Sequence, residues 1–181
     1  MPEPLTGKDM AGAPRAPDPA ALAARGRVRP ILLHPDPALR RRCTPVGRLG
    51  WDRLSQLAAD LLVTMYDAGG RGLAGPQLGE CHRIFVMDPG WKQGAPLPRI
   101  VLDPEILPLA GEVATLEETC LSIPGRPVAV ARPAVVSLRC FDLTGALQLL
   151  TLSGIEARIA QHEADHLDGR LILDILPEAD R

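Results

Sequence analysis

From Trp51 to Ala68 the apolar residues recur at 54, 57, 58, 61, 62 and 65, the spacing of one helix face, and Gly69–Gly70 close the run. This pattern predicts an amphipathic helix. Further along, the period shortens. Residues 83–88 (RIFVMD), 99–103 (RIVLD), 112–118 (EVATLEE), 128–132 (VAVAR), 134–142 (AVVSLRCFD) and 146–152 (ALQLLTL) are β-branched or aliphatic runs punctuated by Pro or Gly, and they read as strands. Leu143-Thr144-Gly145 forms a hairpin turn in this reading, with Gly145 able to take a positive φ. No helical segment alternates with these strands, so an antiparallel arrangement is favoured over a doubly wound one. A second long helix is expected over 153–168. Ser153 and Glu156 form an S-x-x-E capping box at its start, and Gly169 stands where a C-cap glycine belongs. The expected class is α+β, with antiparallel β-sheets packed around a central helix that bears an H-E-x-x-H motif.

Residues 1–28 are rich in Pro, Ala and Gly without apolar periodicity, and are expected to form a mobile extension with at most one helical turn at Ala20–Ala24. The structured domain is then 29–181, with its first apolar run at Ile31 and one more short strand or helix in the last eleven residues, LILDILPEADR. At 181 residues, one domain is expected. No apolar run approaches the roughly 18–20 residues of a membrane span, and the first residues lack a secretory pattern, so a cytoplasmic protein without membrane contact is expected. Twenty Lys+Arg against 22 Asp+Glu leave a net charge of −2, which gives no overall positive field for nucleic acid. Cys43, Cys81, Cys120 and Cys140 show no close pairing and read as reduced thiols.

The chemistry concentrates in Q161-H162-E163-A164-D165-H166. Histidines at i and i+4 project from one helix face, so both imidazoles reach one metal ion, and Glu163 lies close enough to touch a water at that ion. The spacing 155, 159, 162, 166 continues the apolar stripe of the helix, which turns both histidines inward. Each histidine by itself also fits an ordinary hydrogen-bonded core position. A catalytic site needs a third protein ligand. Downstream there is no His or Cys, and Asp168 and Asp174 are the nearest candidates, with Glu178 close to the end; upstream, Cys120 in LEETCLSIPG is on chemistry alone equally a ligand and a small buried hydrophobe. A third segment, G70-R71-G72-L73-A74-G75-P76-Q77, suits close backbone approach and brings an amide donor, Gln77, beside it.

Together GRGLAGPQ at 70–77, ETCLS at 118–122 and QHEADH at 161–166 resemble the three motifs of the peptide deformylases, in the family's order, and PDPALR at 35–40 and HLDG at 166–169 extend the likeness over about residues 30–175. The resemblance implies that Cys120, His162 and His166 hold one divalent metal ion, Fe(II) foremost, with Zn, Ni or Co able to substitute. It implies that Glu163 is the general acid/base and that Gln77 and the backbone N–H of Leu121 stabilise an oxyanion. Gly70 and Gly72 would hold the substrate backbone, with Leu116, Ile155 and Ile159 lining a methionine pocket. The implied substrate is the N-formylmethionyl end of a peptide or nascent chain, with a transient ribosome contact. Thr119 and Gly75 depart from the family's Gly and usual Ala, which leaves a relative of altered specificity or lost activity as one alternative and an H-E-x-x-H zinc protease as another. A β-branched residue at 119 would be strained if that position needs a positive φ.

Overall fold

The computed structural model of the chain describes residues 18–109 and 111–176, and its first two helices, α1 (Pro19–Ala23) and α2 (Trp51–Asp67), lie against each other. The apolar face of α2 is buried as its spacing requires, with Leu54, Leu57, Leu61, Leu62 and Met65 all in the core. The expected mobile extension is corrected from residue 18 onward. Leu22 is buried in the same core, the Arg27 N–H donates to Asp60 Oδ1 at 2.9 Å, and the Arg29 N–H donates to Thr64 Oγ1 at 3.0 Å. A single leucine in an Ala-rich turn has no periodicity to read, yet α2 offers it an apolar face on which to be buried. Residues 1–17 of that expected extension lie outside the described residues.

Five strands form one antiparallel sheet in the order β1 (Gly72–Ala74), β2 (Ile84–Met87), β3 (Arg99–Pro108), β6 (Val135–Phe141) and β7 (Leu147–Ser153). The remaining two, β4 (Val113–Cys120) and β5 (Ile123–Pro133), pair only with each other among the described residues. The expected strands are all present, and the turn between β6 and β7 holds Gly145 at φ +77°. In β2 every side chain is buried because the strand alternates between two covered faces. Ile84 and Val86 join the core under α2, while Phe85 and Met87 join the core that contains Ala157, Ile159, Ala160 and Leu167. Those four residues belong to α3 (Gly154–Leu167).

Helix α3 therefore packs between the five-stranded sheet and the β4–β5 hairpin, the central position expected of the motif-bearing helix. Its C-terminus ends at Gly169, φ +73°. Its N-terminus differs from the expected capping box: Ser153 makes no side-chain cap hydrogen bond. Gly154 enters the helix at φ +55°, and this left-handed first step departs from the geometry in which a capping serine faces the N–H groups of the first turn. The chain after α3 forms a short 3-10 turn, Ile172–Ile175, and residues 177–181 lie outside the described residues.

Candidate metal centre and active site

Helix α3 carries His162 and His166 with ring centroids 5.0 Å apart, as i and i+4 dictate. The last residue of β4 supplies the third donor. Cys120 Sγ lies 3.3 Å from His166 Nε2, and one ligand atom from each of Cys120, His162 and His166 falls within 4.8 Å of the others. Sulfur and imidazole bond lengths at a tetrahedral ion put such donors about 3.5 Å apart, so the triad has the spacing of a closed-up metal site. Cys120 is buried, and it faces two imidazoles rather than aliphatic neighbours alone.

The electrostatics suit a cation. His166 is fully buried, and burial, then the charges of His162 and Arg132, hold its imidazole well below the ordinary histidine range, in the neutral form that ligates. Burial also opposes charge on His162, but hydrogen bonds with Cys120 and Glu118 and the nearby Glu163 carboxylate outweigh it and draw the imidazole up to about 10. A nitrogen that attracts a proton this strongly attracts a metal cation in the same place, since the two compete for one lone pair. Glu118 sets the ring: its Oε2 lies 2.9 Å from His162 Nδ1, leaving Nε2 toward the triad. Burial pushes the Glu118 carboxyl upward, yet hydrogen bonds from His162 and Arg132 hold it down at about 2.

Glu163, 4% exposed, sits beside the triad, and its Oε2 has no hydrogen-bond partner among the described residues. Burial, tempered by His162, raises its carboxyl to about 7, the range in which a group both takes and returns a proton near neutrality. Across from it, the 3-10 turn Gly75–Leu78 holds Gln77, whose Oε1 accepts from the Ala74 N–H at 2.8 Å. Its Nε2 donates to Ser122 Oγ at 3.1 Å and points along Cys120 Sγ at 3.9 Å. Residues 31–34 tie both loops together, for the Leu32 N–H donates to the Gln77 carbonyl and the His34 N–H to the Ser122 carbonyl, each at 2.8 Å. On the other side, Trp91 Nε1 donates to the Gly70 carbonyl at 2.7 Å.

Gly70, Gly72, Gln77, Cys120, Leu121, Ile155, Ile159, His162 and Glu163 all line one cavity of about 420 Å³, with His166 buried behind it. Leu116 does not. It is 56% exposed in the outer half of β4, where no layer among the described residues covers its side chain, and the lining of the cavity excludes it. Of the downstream carboxylates, Asp168 is paired with Arg83 at 2.8 Å and Asp174 with Arg40 at 2.6 Å, so neither joins the triad. Glu118 and Arg132 stand within the strand segments 112–118 and 128–132 with nothing in the sequence to give them a role, and Arg158, which also contacts Glu118, is marked there only by its i, i+4 spacing from His162.

The family model for polypeptide deformylase matches residues 28–181. The chain belongs to this family. A peptide deformylase of Mesorhizobium japonicum is 42% identical over 154 residues, covering 85% of this chain and 87% of that one. One of Alkalilimnicola ehrlichii is 44% identical over 151 residues, with 83% of each chain covered. Among solved structures, the peptide deformylase of Synechococcus elongatus in complex with actinonin superposes with a TM-score of 0.78 at 35% identity over 84% of each chain. A Met-Ala-Ser-bound deformylase from Acinetobacter baumannii gives 0.76 at 30% identity, covering 83% of this chain and 99% of that one.

The two departures from the deformylase motifs are both accommodated. Thr119 lies in extended β4, and among the described residues Asp103 alone has a positive φ without being glycine, so the anticipated strain at 119 is absent. At 75 the backbone leaves no room for alanine, for a Cβ there would stand 2.7 Å from the Glu80 carbonyl oxygen and 2.9 Å from that of His82.

Proposed function

We propose that this deformylase removes the formyl group from the N-terminal formylmethionine of newly made polypeptides, releasing formate and a free amino terminus. The observation that carries the reading is the convergence of Gln77, the Cys120–His162–His166 triad and Glu163 on one cavity. The triad would hold one divalent ion, Fe(II) in our reading with Zn, Ni or Co as substitutes, which would supply Lewis-acid polarisation of the formyl oxygen and a more acidic attacking water. Glu163 takes the proton of the attacking water and returns it to the departing amine. Gln77 Nε2 and the Leu121 N–H stabilise negative charge as it develops on the formyl oxygen.

The cavity runs between Gly70–Gly72 and Glu117–Cys120. Strand β1 ends the five-stranded sheet, and β4 pairs only with β5, so each offers one unpaired edge toward the cavity. An extended peptide fits between them by strand addition, with its first side chain against Ile155 and Ile159. That the Acinetobacter baumannii relative binds Met-Ala-Ser supports a peptide ligand. No helix among the described residues is long and apolar enough to cross a membrane. A substrate made of newly synthesised chains supports a cytoplasmic enzyme in transient contact with the ribosome.

The test is formate release from formyl-Met-Ala-Ser by anaerobically prepared, iron-loaded protein beside its Glu163→Ala variant. Formate from the unmodified protein, and at least a hundredfold less from the variant, is expected. No formate from the unmodified protein would remove the reading.

A further inference from the structure

Two successive turns of α3 present Ile155, Arg158, Ile159 and His162 to the cavity wall. Three of these suit an apolar pocket or a metal; Arg158 suits neither. It is only 8% exposed, and its guanidinium is spent on the protein. Nη1 donates to Glu118 Oε1 at 2.7 Å and to the Val130 carbonyl at 3.0 Å, while Nη2 donates to the Ala114 carbonyl at 2.7 Å. Burying a guanidinium where an isoleucine would fill the wall is costly unless its fork is used in full.

The use is visible in what Glu118 receives. Arg132 grips both carboxylate oxygens, Nε to Oε1 at 2.6 Å and Nη2 to Oε2 at 2.9 Å, and passes its Nη1 to Asp165 at 2.8 Å. Arg132 comes from β5 and fixes Glu118 to its own hairpin, reaching α3 only indirectly, through Asp165, three residues after His162. Arg158 comes from the helix. Its bonds join Ala114 of β4, Val130 of β5 and the Glu118 carboxylate to α3 four residues before His162, on the same helix face. The carboxylate is thereby registered against the imidazole that it orients.

We infer that Arg158 is a positioning residue for His162: acting through Glu118, it holds the hairpin and the helix in the register that aims the His162 ring at Cys120 Sγ. This rests on reading Cys120, His162 and His166 as a metal site, and the test separates the two. Co(II) affinity is measured by chelator competition, together with the Co(II) absorption spectrum and thermal unfolding, on the unmodified protein, Arg158→Met, Arg158→Lys, and Arg139→Met as a surface control. If the unmodified protein binds no Co(II), the metal reading fails first.

If it binds one ion, Arg158→Met is expected to fold, to bind Co(II) ten- to a hundredfold more weakly and to shift the ligand-field bands. Its deformylation kcat is expected to fall with KM little changed. Arg158→Lys, which keeps the charge but not the fork, should fall between the two. A folded Arg158→Met with unchanged affinity and spectrum overturns the inference, even if its melting temperature drops, because that is the signature of packing alone. Should Arg158→Met not fold, Arg158→Lys carries the test, and unmodified affinity and spectrum in that variant overturn the inference equally.

Discussion

A Cβ added at Gly72 would stand 2.3 Å from Glu163 Oε1, inside any real contact distance. The glycine of the loop motif thus makes room for Glu163 of the helix motif, 91 residues further along the chain. Gly72→Ala is expected to displace the Glu163 carboxylate and lower kcat/KM by about a hundredfold, the scale of a misplacement near 1 Å. Metal content should hold, since no ligand moves. Deformylation kinetics beside metal analysis check this; a variant with unimpaired kcat/KM would mean that Glu163 has slack.

Gln77 is anchored through Oε1 to the Ala74 N–H, which fixes the direction of its Nε2. Gln77→Ala should reduce kcat by about 10²–10³ while KM changes little, as for loss of one oxyanion donor. An increase confined to KM would assign Gln77 to ground-state binding instead.

Cys120→Ser replaces a thiolate with a hydroxyl that stays protonated and binds a divalent ion weakly. Metal retention after dialysis against chelator should fall by more than the tenfold to hundredfold typical of an outer partner. Unaltered metal content in this variant would make Cys120 a core thiol.

Two other thiols should make the fold alkali-sensitive. Burial, with the neighbouring Cys81 adding to it, raises the Cys43 thiol from 9.0 to about 12, and burial raises Cys140 to about 11. Both groups keep their proton in the folded protein at a pH where the unfolded chain has lost it. Stability from this source is complete below pH 9 and declines above it, by about 1.4 kcal/mol per pH unit for each thiol, until the folded thiols ionise. Urea unfolding at pH 8, 9, 10 and 11 measures the slope, which should shrink in Cys43→Ala.

Local pattern carried much of this molecule. The spacing of Leu54, Leu57, Leu61, Leu62 and Met65 dictates a helix with one buried face, and the β-branched runs dictate strands, because both periods are properties of consecutive residues. The i, i+4 histidines and the order of the three motifs were equally open to reading. β1 was not: three residues, Gly72–Ala74, are too few to show a period, and they are a strand only because Leu73 and Ala74 meet Val86 and Phe85. Leu116 failed for a related reason. It is in phase with the buried Glu118 and Cys120, but alternation says which way a side chain points and says nothing of whether another layer covers it.

What the sequence by itself determined, then, was the set of donors and the elements that bear them. Tertiary structure alone decided how they meet. Cys120 is a candidate ligand because the end of β4 is delivered to α3, and His162 has its orientation because Glu118 is held by Arg132 from a strand and by Arg158 from the helix. Contacts between residues 40 or more positions apart follow from how faces pack, and no period along the chain encodes the partner of a face.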